Sequence, residues 1–556
     1  MSSSISSRTS GSTGNAYFKQ QVSAQLSRLQ NQIPSSYHLP ESLLDNPPLN
    51  VTSIPETCGI LTKEELAITD LDATDIVTKI RSGELTAVAV VTAFGKRAAI
   101  AHQLTACLTD FFLEEGIQRA KELDAYFKVH GTTIGPLHGL PISIKDHMPV
   151  KGRWGSAGFL STLQISSDDC FLTSVLRDLG AVFYVKTNQP QTIMHLETQS
   201  FYGRTLNPHN LNLSPGGSSG GEAALLALKG SCMGMGRQVP ELHVSDGGGS
   251  IRAPCAFAGL YGIRPTGNTF PFSGVLGHQD GNDSTTPSGG PMCRSARDLE
   301  MLIKAAQSTE PWLRDPSLFP IPLQLPNISQ KKLRIGVMFH DRVVMPHPPM
   351  LRALRLAETK LRASEEVEVV EYVPYNHKEG YSIIRGLYFY DGGETVRRLL
   401  KDGGEDILPL SEWVISPPHT RNLTATQSWE LRHKRDLFRH AYLQQWREQQ
   451  VDVLLCPPYT GVAPRHDTAR YWGYTAIWNL LDYPGAVFPT GLVVDPALDP
   501  ADSLASSLGP EDSYNRQQYE PNVYVGAPIN LQIVAPRFND GMVLAALNVI
   551  ERIVKS

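Results

Sequence analysis

Along this chain, apolar runs of helical period alternate with short apolar blocks of strand length. An Ala/Val-rich stretch runs from Thr86, placed to cap it, to about Gln103. Ile117, Ala120, Leu123 and Phe127 recur at helical spacing, with Glu, Lys and Arg between them. The block 140–144 is apolar apart from Ser143, has strand length, and ends at Lys145-Asp146. A helical pattern over 171–179 leads through Gly180 into a strand-like run at 181–185. In the second half, 333–338 and 367–370 read as strands separated by a helical segment. A long helix is expected over 426–448, with Leu437, Phe438, Ala441, Tyr442 and Trp446 as its apolar positions. Residues 453–455 and 486–488 are buried-strand candidates. Strands alternating with helices predict an α/β fold, a sheet covered by helices on both faces. No internal repeat is present. The Gly/Pro/Ser-dense stretch 266–295 reads either as an active-site loop or as a surface excursion.

Composition narrows the partners more than it shapes the fold. With 41% apolar and 19% charged residues the chain is an ordinary globular sequence. A net charge of −5 gives no electrostatic reason to expect nucleic acid or an anionic membrane as a partner. The basic run 432–435 is flanked by Glu430 and Asp436 and reads as a solvated helix face. No apolar stretch approaches the ~18 residues that span a bilayer. The cysteine count of 7 is odd and no C-x-x-C pair occurs, which fits a reducing compartment, the cytoplasm. Residues 1–36 are Ser-rich and free of acids, with Arg8, Lys19 and Arg28. They are expected as a disordered polar tail, the alternative being a weak mitochondrial transit peptide.

Three segments carry candidate chemistry. Gly139-Leu-Pro-Ile-Ser-Ile-Lys145-Asp146 puts a lysine at the end of an apolar strand. An ammonium that loses hydration there has a lowered pKa and can serve as a base; taken alone, the segment reads better as a lysine snorkelling to solvent. Ser214-Pro-Gly-Gly-Ser218-Ser219-Gly-Gly-Glu222 is a glycine-rich loop opening a helix, suited to a tight bend, a flexible loop or an anion site. Asp246-Gly247-Gly248-Gly249-Ser250-Ile-Arg252-Ala-Pro254 lets several backbone N–H groups converge beside a hydroxyl, the requirement of an oxyanion hole.

Together, and in this order, the three segments resemble the defining motifs of the amidase-signature family. Similarity extends to Val185-Lys-Thr-Asn-Gln-Pro-Gln191, Phe201-Tyr-Gly-Arg-Thr-Leu-Asn-Pro208 and Gly259-Leu-Tyr-Gly-Ile-Arg-Pro265. Asp72-Ala-Thr and the segment from Tyr471 to Pro484 resemble the fungal acetamidase and general amidase branch. The resemblance implies one amidase domain over 37–556, built on a large mixed sheet, where length alone would suggest several domains. It further implies Lys145 as base, Ser218 as relay and Ser250 as nucleophile, with a cis Gly217–Ser218 peptide. Gly247, Gly248 and Gly249 would hold the oxyanion, and Ser219, Asp246 and Arg252 would support the site. Likeness to fatty-acid amide hydrolases places the backbone of Ile193 and Met194 against the substrate. The expected reaction converts a small aliphatic or aromatic carboxamide to carboxylate and ammonia through an acyl-serine, without metal or organic cofactor. A homodimer is expected by analogy alone.

The chain departs from the family pattern at 237–245, Arg-Gln-Val-Pro-Glu-Leu-His-Val-Ser, where the family usually carries a single threonine. Three alternatives stand open: an artefactual stretch of sequence, an insert that loops out harmlessly, and an insert that displaces Ser250 and abolishes activity. The last would leave an amidase-fold binding protein; a glutaminase subunit of an amidotransferase is a further alternative. Gly216-Gly-Ser218-Ser-Gly220 also fits G-x-S-x-G, but loop-like sequence precedes it where a nucleophile elbow needs a strand. His195-x-Glu197 with Pro254-Cys255 lacks the second cysteine of a zinc deaminase, since residue 258 is Ala. No Walker A sequence occurs.

Overall fold

The computed structural model describes residues 13–237, 248–328 except 280, 283 and 287, 331–501 and 506–556. In chain order the strands are β1 Leu108–Phe111, β2 Pro141–Lys145, β3 Trp154–Gly155, β4 Gln164–Ile165, β5 Val182–Thr187, β6 Gln199–Ser200, β7 Gly203–Arg204, β8 Met233–Arg237, β9 Tyr261–Arg264, β10 Gly289–Cys293, β11 Leu333–Val337, β12 Val367–Glu371, β13 Val453–Cys456, β14 Gly485–Val493 and β15 Pro528–Val534. An 11-stranded sheet runs β1-β5-β2-β8-β10-β9-β14-β15-β13-β11-β12. β2 pairs in parallel with β5 and β8, and β11 with β12 and β13, while the remaining pairs are antiparallel. The sheet is therefore mixed. β2, β5, β9, β13 and β15 are buried at every position, so both faces presented by their alternating side chains are covered. Edge strand β12 instead exposes Glu368 and Glu371, charges that discourage pairing with another chain.

The helices form where local signals and apolar spacing agree. Thr86 caps helix Ala87–Thr105 by accepting from the Ala89 N–H, and the helix ends at Ala106 in the left-handed region. Helix Leu113–His130 buries Leu113, Gly116, Ala120 and Leu123 and stops at Gly131 with φ of 66°, a conformation glycine adopts freely. A reciprocal Thr424–Gln427 capping box starts helix Ala425–Gln449, whose buried positions include Phe438, Tyr442 and Trp446. Leu437, expected on the inner face, is 56% exposed, because the buried stripe runs one residue further round.

Two expectations need correction. The polar tail contains helix Ala16–Gln32, capped by Asn15, followed by a 3-10 turn at Ser35–Tyr37. Phe18 and Val22 pack with Leu160, Phe201 and Tyr202, while Leu29 and Ile33 join the main core. Arg28 and Gln32 reach Asp110 of β1. A sparse apolar stripe at helical spacing is enough once a polar acceptor waits at the sheet edge; the Ser/Gln-rich composition conceals it. Of the 1–36 stretch, only residues 1–12 lie outside the described residues. The second correction concerns 266–295, whose end is neither loop nor excursion. Residues 289–293 are β10, a buried central strand in register with β8 from Gly289↔Arg237 to Cys293↔Met233.

Candidate active site

Lys145 is the last residue of β2, in register with Thr187 of β5. Ser218 lies just before helix Gly220–Ala227, and Ser250 just before helix Arg252–Phe257. The three converge in the protein interior. Lys145 Nζ is 2.6 Å from Ser218 Oγ, which is 2.8 Å from Ser250 Oγ. Lys145 and Ser218 are fully buried and Ser250 is 2% exposed. Of the three alternatives raised by 237–245, displacement of Ser250 is not what this geometry shows. Arg237 closes β8, and residues 238–245 lie outside the described residues.

The serine loop is held from two sides. Thr198 Oγ1 donates to the Gly216 carbonyl at 2.9 Å and accepts from the Gly220 N–H at 3.0 Å. The Gly217–Ser218 peptide is cis, as the motif resemblance implies. A Cβ on Gly217 would stand 2.2 Å from the His195 carbonyl oxygen, so the adjoining loop admits only glycine there. That loop contains Thr192 and Ile193 with φ of 67° and 55°, a left-handed conformation costly for β-branched residues. Gln191 secures it, donating to Glu405 at 2.7 Å and accepting from the Leu408 N–H at 2.9 Å. Ile193 and Met194 are buried beside it. Strain stored next to the serine chain is the sort of feature that marks a site.

On the other side, Gly248 and Gly249 lead into Ser250. Gly249 has φ of 118°, and a Cβ there would lie 2.5 Å from Thr475 Oγ1. A Cβ on Gly248 would lie 2.8 Å from the Trp472 ring. Thr475 Oγ1 donates to the Gly248 carbonyl. Gly247 and Asp246 lie outside the described residues. Arg252 donates to Gln532 Oε1 at 2.8 Å, to the Thr475 carbonyl at 3.0 Å and to Asn479 Oδ1. It thereby ties helix Arg252–Phe257 to helix Gly473–Leu481 and to β15. Ser219, the expected support, is buried with no hydrogen-bond partner for its hydroxyl among the described residues.

The family described as Amidase matches residues 89–544. This chain belongs to the amidase family. Among its relatives, an amidase of Gibberella zeae is 40% identical, over 91% of this chain and 94% of its own. The acetamidase of Emericella nidulans is 36% identical, over 89% of this chain and 91% of its own. A solved fatty acid amide hydrolase superposes with a TM-score of 0.91 at 36% identity, covering 98% of this chain and 97% of that one.

Charge around the amidase site is arranged in separate compartments. Burial raises the Asp146 carboxyl, while Lys186 and the hydroxyls of Ser156 and Thr109 oppose that rise. For Glu197, burial acts upward, but His466, Arg204 and the Asp467 N–H outweigh it and hold the carboxyl below its usual range. Glu197 thus faces His466 at 2.6 Å, whereas His195 Nε2 meets Ser411 at 3.3 Å. The deaminase-like pair points to different partners.

Sequence reasoning assigned no role to Trp472, Thr475, Asn479 or Gln532. The first three stand in the Tyr471–Pro484 segment that resembles acetamidases; the signal was present as similarity but carried no chemistry of its own. Arg385 and Trp413 were missed outright. The Arg385 guanidinium lies 4.1 Å from the Trp413 ring and 5.1 Å from the Trp472 ring, a cation–π stack behind the Gly248 backbone. Among the described residues, no helix is long and apolar enough to cross a membrane.

Proposed function

We propose that this amidase hydrolyses carboxamides through a Lys145–Ser218–Ser250 proton relay. The observation that supports it is the continuous buried chain of two short contacts from Nζ through one hydroxyl to the next. Burial strips an ammonium of hydration and so favours the neutral amine, the form able to accept a proton. Neutral Lys145 takes the proton of Ser218 as Ser218 takes that of Ser250. The Ser250 oxygen attacks the amide carbonyl carbon, and charge develops on the carbonyl oxygen. The N–H groups of Gly247, Gly248, Gly249 and Ser250 are the donors proposed for it. On collapse of the tetrahedral species the relay returns a proton to the departing nitrogen, and ammonia leaves. Water, deprotonated by the same relay, then cleaves the acyl-Ser250 ester and regenerates the hydroxyl. Ile193 and Met194 are proposed to contact the substrate through their backbone.

Small aliphatic or aromatic amides are the proposed substrates, in line with the acetamidase among the relatives. The test is serine-directed fluorophosphonate labelling of the full chain, of Ser250→Ala and of a version lacking 238–245, alongside ammonia release from acetamide and benzamide. Labelling of Ser250 in the full chain is expected. Labelling that survives Ser250→Ala would overturn the assignment, and labelling confined to the shortened chain would show that the insert blocks the site.

A further inference from the structure

Arg385 lies on helix His377–Tyr388 and is 1% exposed. A guanidinium is always charged and carries its N–H donors in one plane. Its Nε, Nη1 and Nη2 have no hydrogen-bond partner among the described residues, so no carboxylate there is bonded to it. Aromatic rings stand where an anion would be expected. Arg385 Cζ is 4.1 Å from the centre of the Trp413 ring, 5.1 Å from that of Trp472 and 6.0 Å from that of Tyr381. Ring faces attract a cation, but they leave its in-plane donors unmet and offset only part of the cost of burying an unpaired charge.

The remaining neighbours supply no anion. Burial, opposed by Arg385, raises the Tyr381 phenol, which therefore stays neutral. Its hydroxyl contacts the Trp472 N–H and the Arg470 carbonyl, each at 3.4 Å. Burial, joined by Arg385, lowers the His419 imidazole. The cation also stands between the two halves of the proposed substrate site. A Cβ on Gly248 would lie 2.8 Å from the Trp472 ring, so Arg385 and the backbone leading to Ser250 meet the same indole. Trp413 belongs to helix Pro409–Val414, whose Ser411 meets the Gln191 carbonyl at 3.4 Å and His195 Nε2 at 3.3 Å. That helix thereby borders the segment holding Ile193 and Met194.

We propose that Arg385 is a specificity-determining residue that receives a carboxylate borne by the substrate, so that the preferred amides are half-amides of dicarboxylic acids. This rests on, and narrows, the reading of the chain as a hydrolase of small carboxamides. A carboxylate matches the guanidinium fork with two parallel hydrogen bonds. Because the nitrogen leaves as ammonia, the acyl part is what carries the charge. Water adds across the amide C–N bond, the carboxylate at Arg385 is untouched, and a dicarboxylate and ammonia are released.

The test compares succinamate, glutaramate and adipamate with butyramide, valeramide and hexanamide, their uncharged counterparts of equal chain length. In the parent, kcat/KM for at least one half-amide should exceed that of its counterpart by about 10–100-fold, the effect of a hydrogen bond to a charged group. Arg385→Met should erase this preference, chiefly through KM, and Arg385→Lys should keep part of it. Equal losses for charged and uncharged amides would show that Arg385 only props Trp472, and would overturn the proposal. So would a diamide hydrolysed as well as the half-amide of the same length, since a neutral acceptor would then suffice. If Arg385→Met does not fold, the parent decides: no half-amide preferred over its counterpart overturns it. Calorimetric binding of the same compounds to Ser250→Ala needs no relay, and half-amides should bind there more tightly than their counterparts. Undiminished turnover in Lys145→Ala would refute the relay, while the binding arm would still report on Arg385.

Discussion

Thr475, in the first turn of helix Gly473–Leu481, gives its hydroxyl proton to the carbonyl oxygen of Gly248, two residues before Ser250. The bond fixes one peptide plane of the segment that carries Ser250, the proposed nucleophile. Thr475→Val keeps the branched shape but leaves that buried carbonyl unpaired, at a cost of about 1–3 kcal/mol. A displacement of ~1 Å at a reacting group costs about 100-fold in rate. Steady-state kinetics should therefore show kcat reduced by about 10–100-fold with a smaller change in KM. An unchanged kcat with a raised KM would mean the loop is held by other contacts.

Removing either member of the proposed relay should slow acylation without unfolding the protein. Lys145→Ala and Ser218→Ala are each expected to lower the labelling rate of Ser250 by about 10²–10⁴-fold, the contribution of a positioned acid–base group. Circular dichroism checks that the fold survives. In the proposed relay the two act in series, so the double variant should lose little more than the worse single one. Fully multiplicative losses would argue against one relay.

Acid should destabilise this protein from an unusually high pH. Burial pushes His102, His195 and His278 down to about 4 and His377 to about 3. Unfolding returns each imidazole to about 6.5, so below that pH the unfolded chain binds more protons and stability falls as pH falls. Each histidine contributes up to about 1.4 kcal/mol per pH unit across that window. Tm measured from pH 7 to 4.5 should drop steeply, beginning near 6.5. His278 meets the Phe159 ring edge-on and lies near-parallel to Phe389, with neither ring nitrogen bonded among the described residues. His278→Phe should therefore flatten the slope by one proton's share, and an unaltered slope would exclude His278 as a contributor.

The N-terminal helix should matter for stability. Arg28 donates to the Thr109 carbonyl at 2.9 Å and pairs with Asp110, a carboxylate that also binds Arg153. Arg28→Ala is expected to cost about 2 kcal/mol, below the ~3–5 kcal/mol of a buried pair broken outright, because Arg153 still compensates Asp110. Urea denaturation measures it, and a loss under about 0.5 kcal/mol would class the helix with ordinary surface structure.

What could be read from the sequence depended on whether a residue's role is local. Thr86 announces its helix because the cap and the apolar spacing lie within a few positions. Lys145, Ser218 and Ser250 are legible through motif resemblance, although their contacts span 73 and 32 positions. Helix Ala16–Gln32 was hidden because what it packs on and bonds to is distant in sequence: Asp110 is 82 positions from Arg28, and Phe18 packs with Leu160 and Phe201. β10 was hidden because Gly289-Gly-Pro-Met-Cys carries no alternation; its strand character comes from β8 and β9 on either side. Thr475 and Arg385 face the site only after the sheet has brought distant helices together, and neither sits in a pattern that names its chemistry.

The Gly248–Ser250 segment is gripped from downstream: Trp472 and Thr475 seat its glycines, and Arg252 anchors the helix behind it. None of those holds comes from the strand that precedes it. Residues more than 220 positions downstream therefore set the backbone that leads into Ser250, so a substitution in helix Gly473–Leu481 can retune this segment without touching a serine.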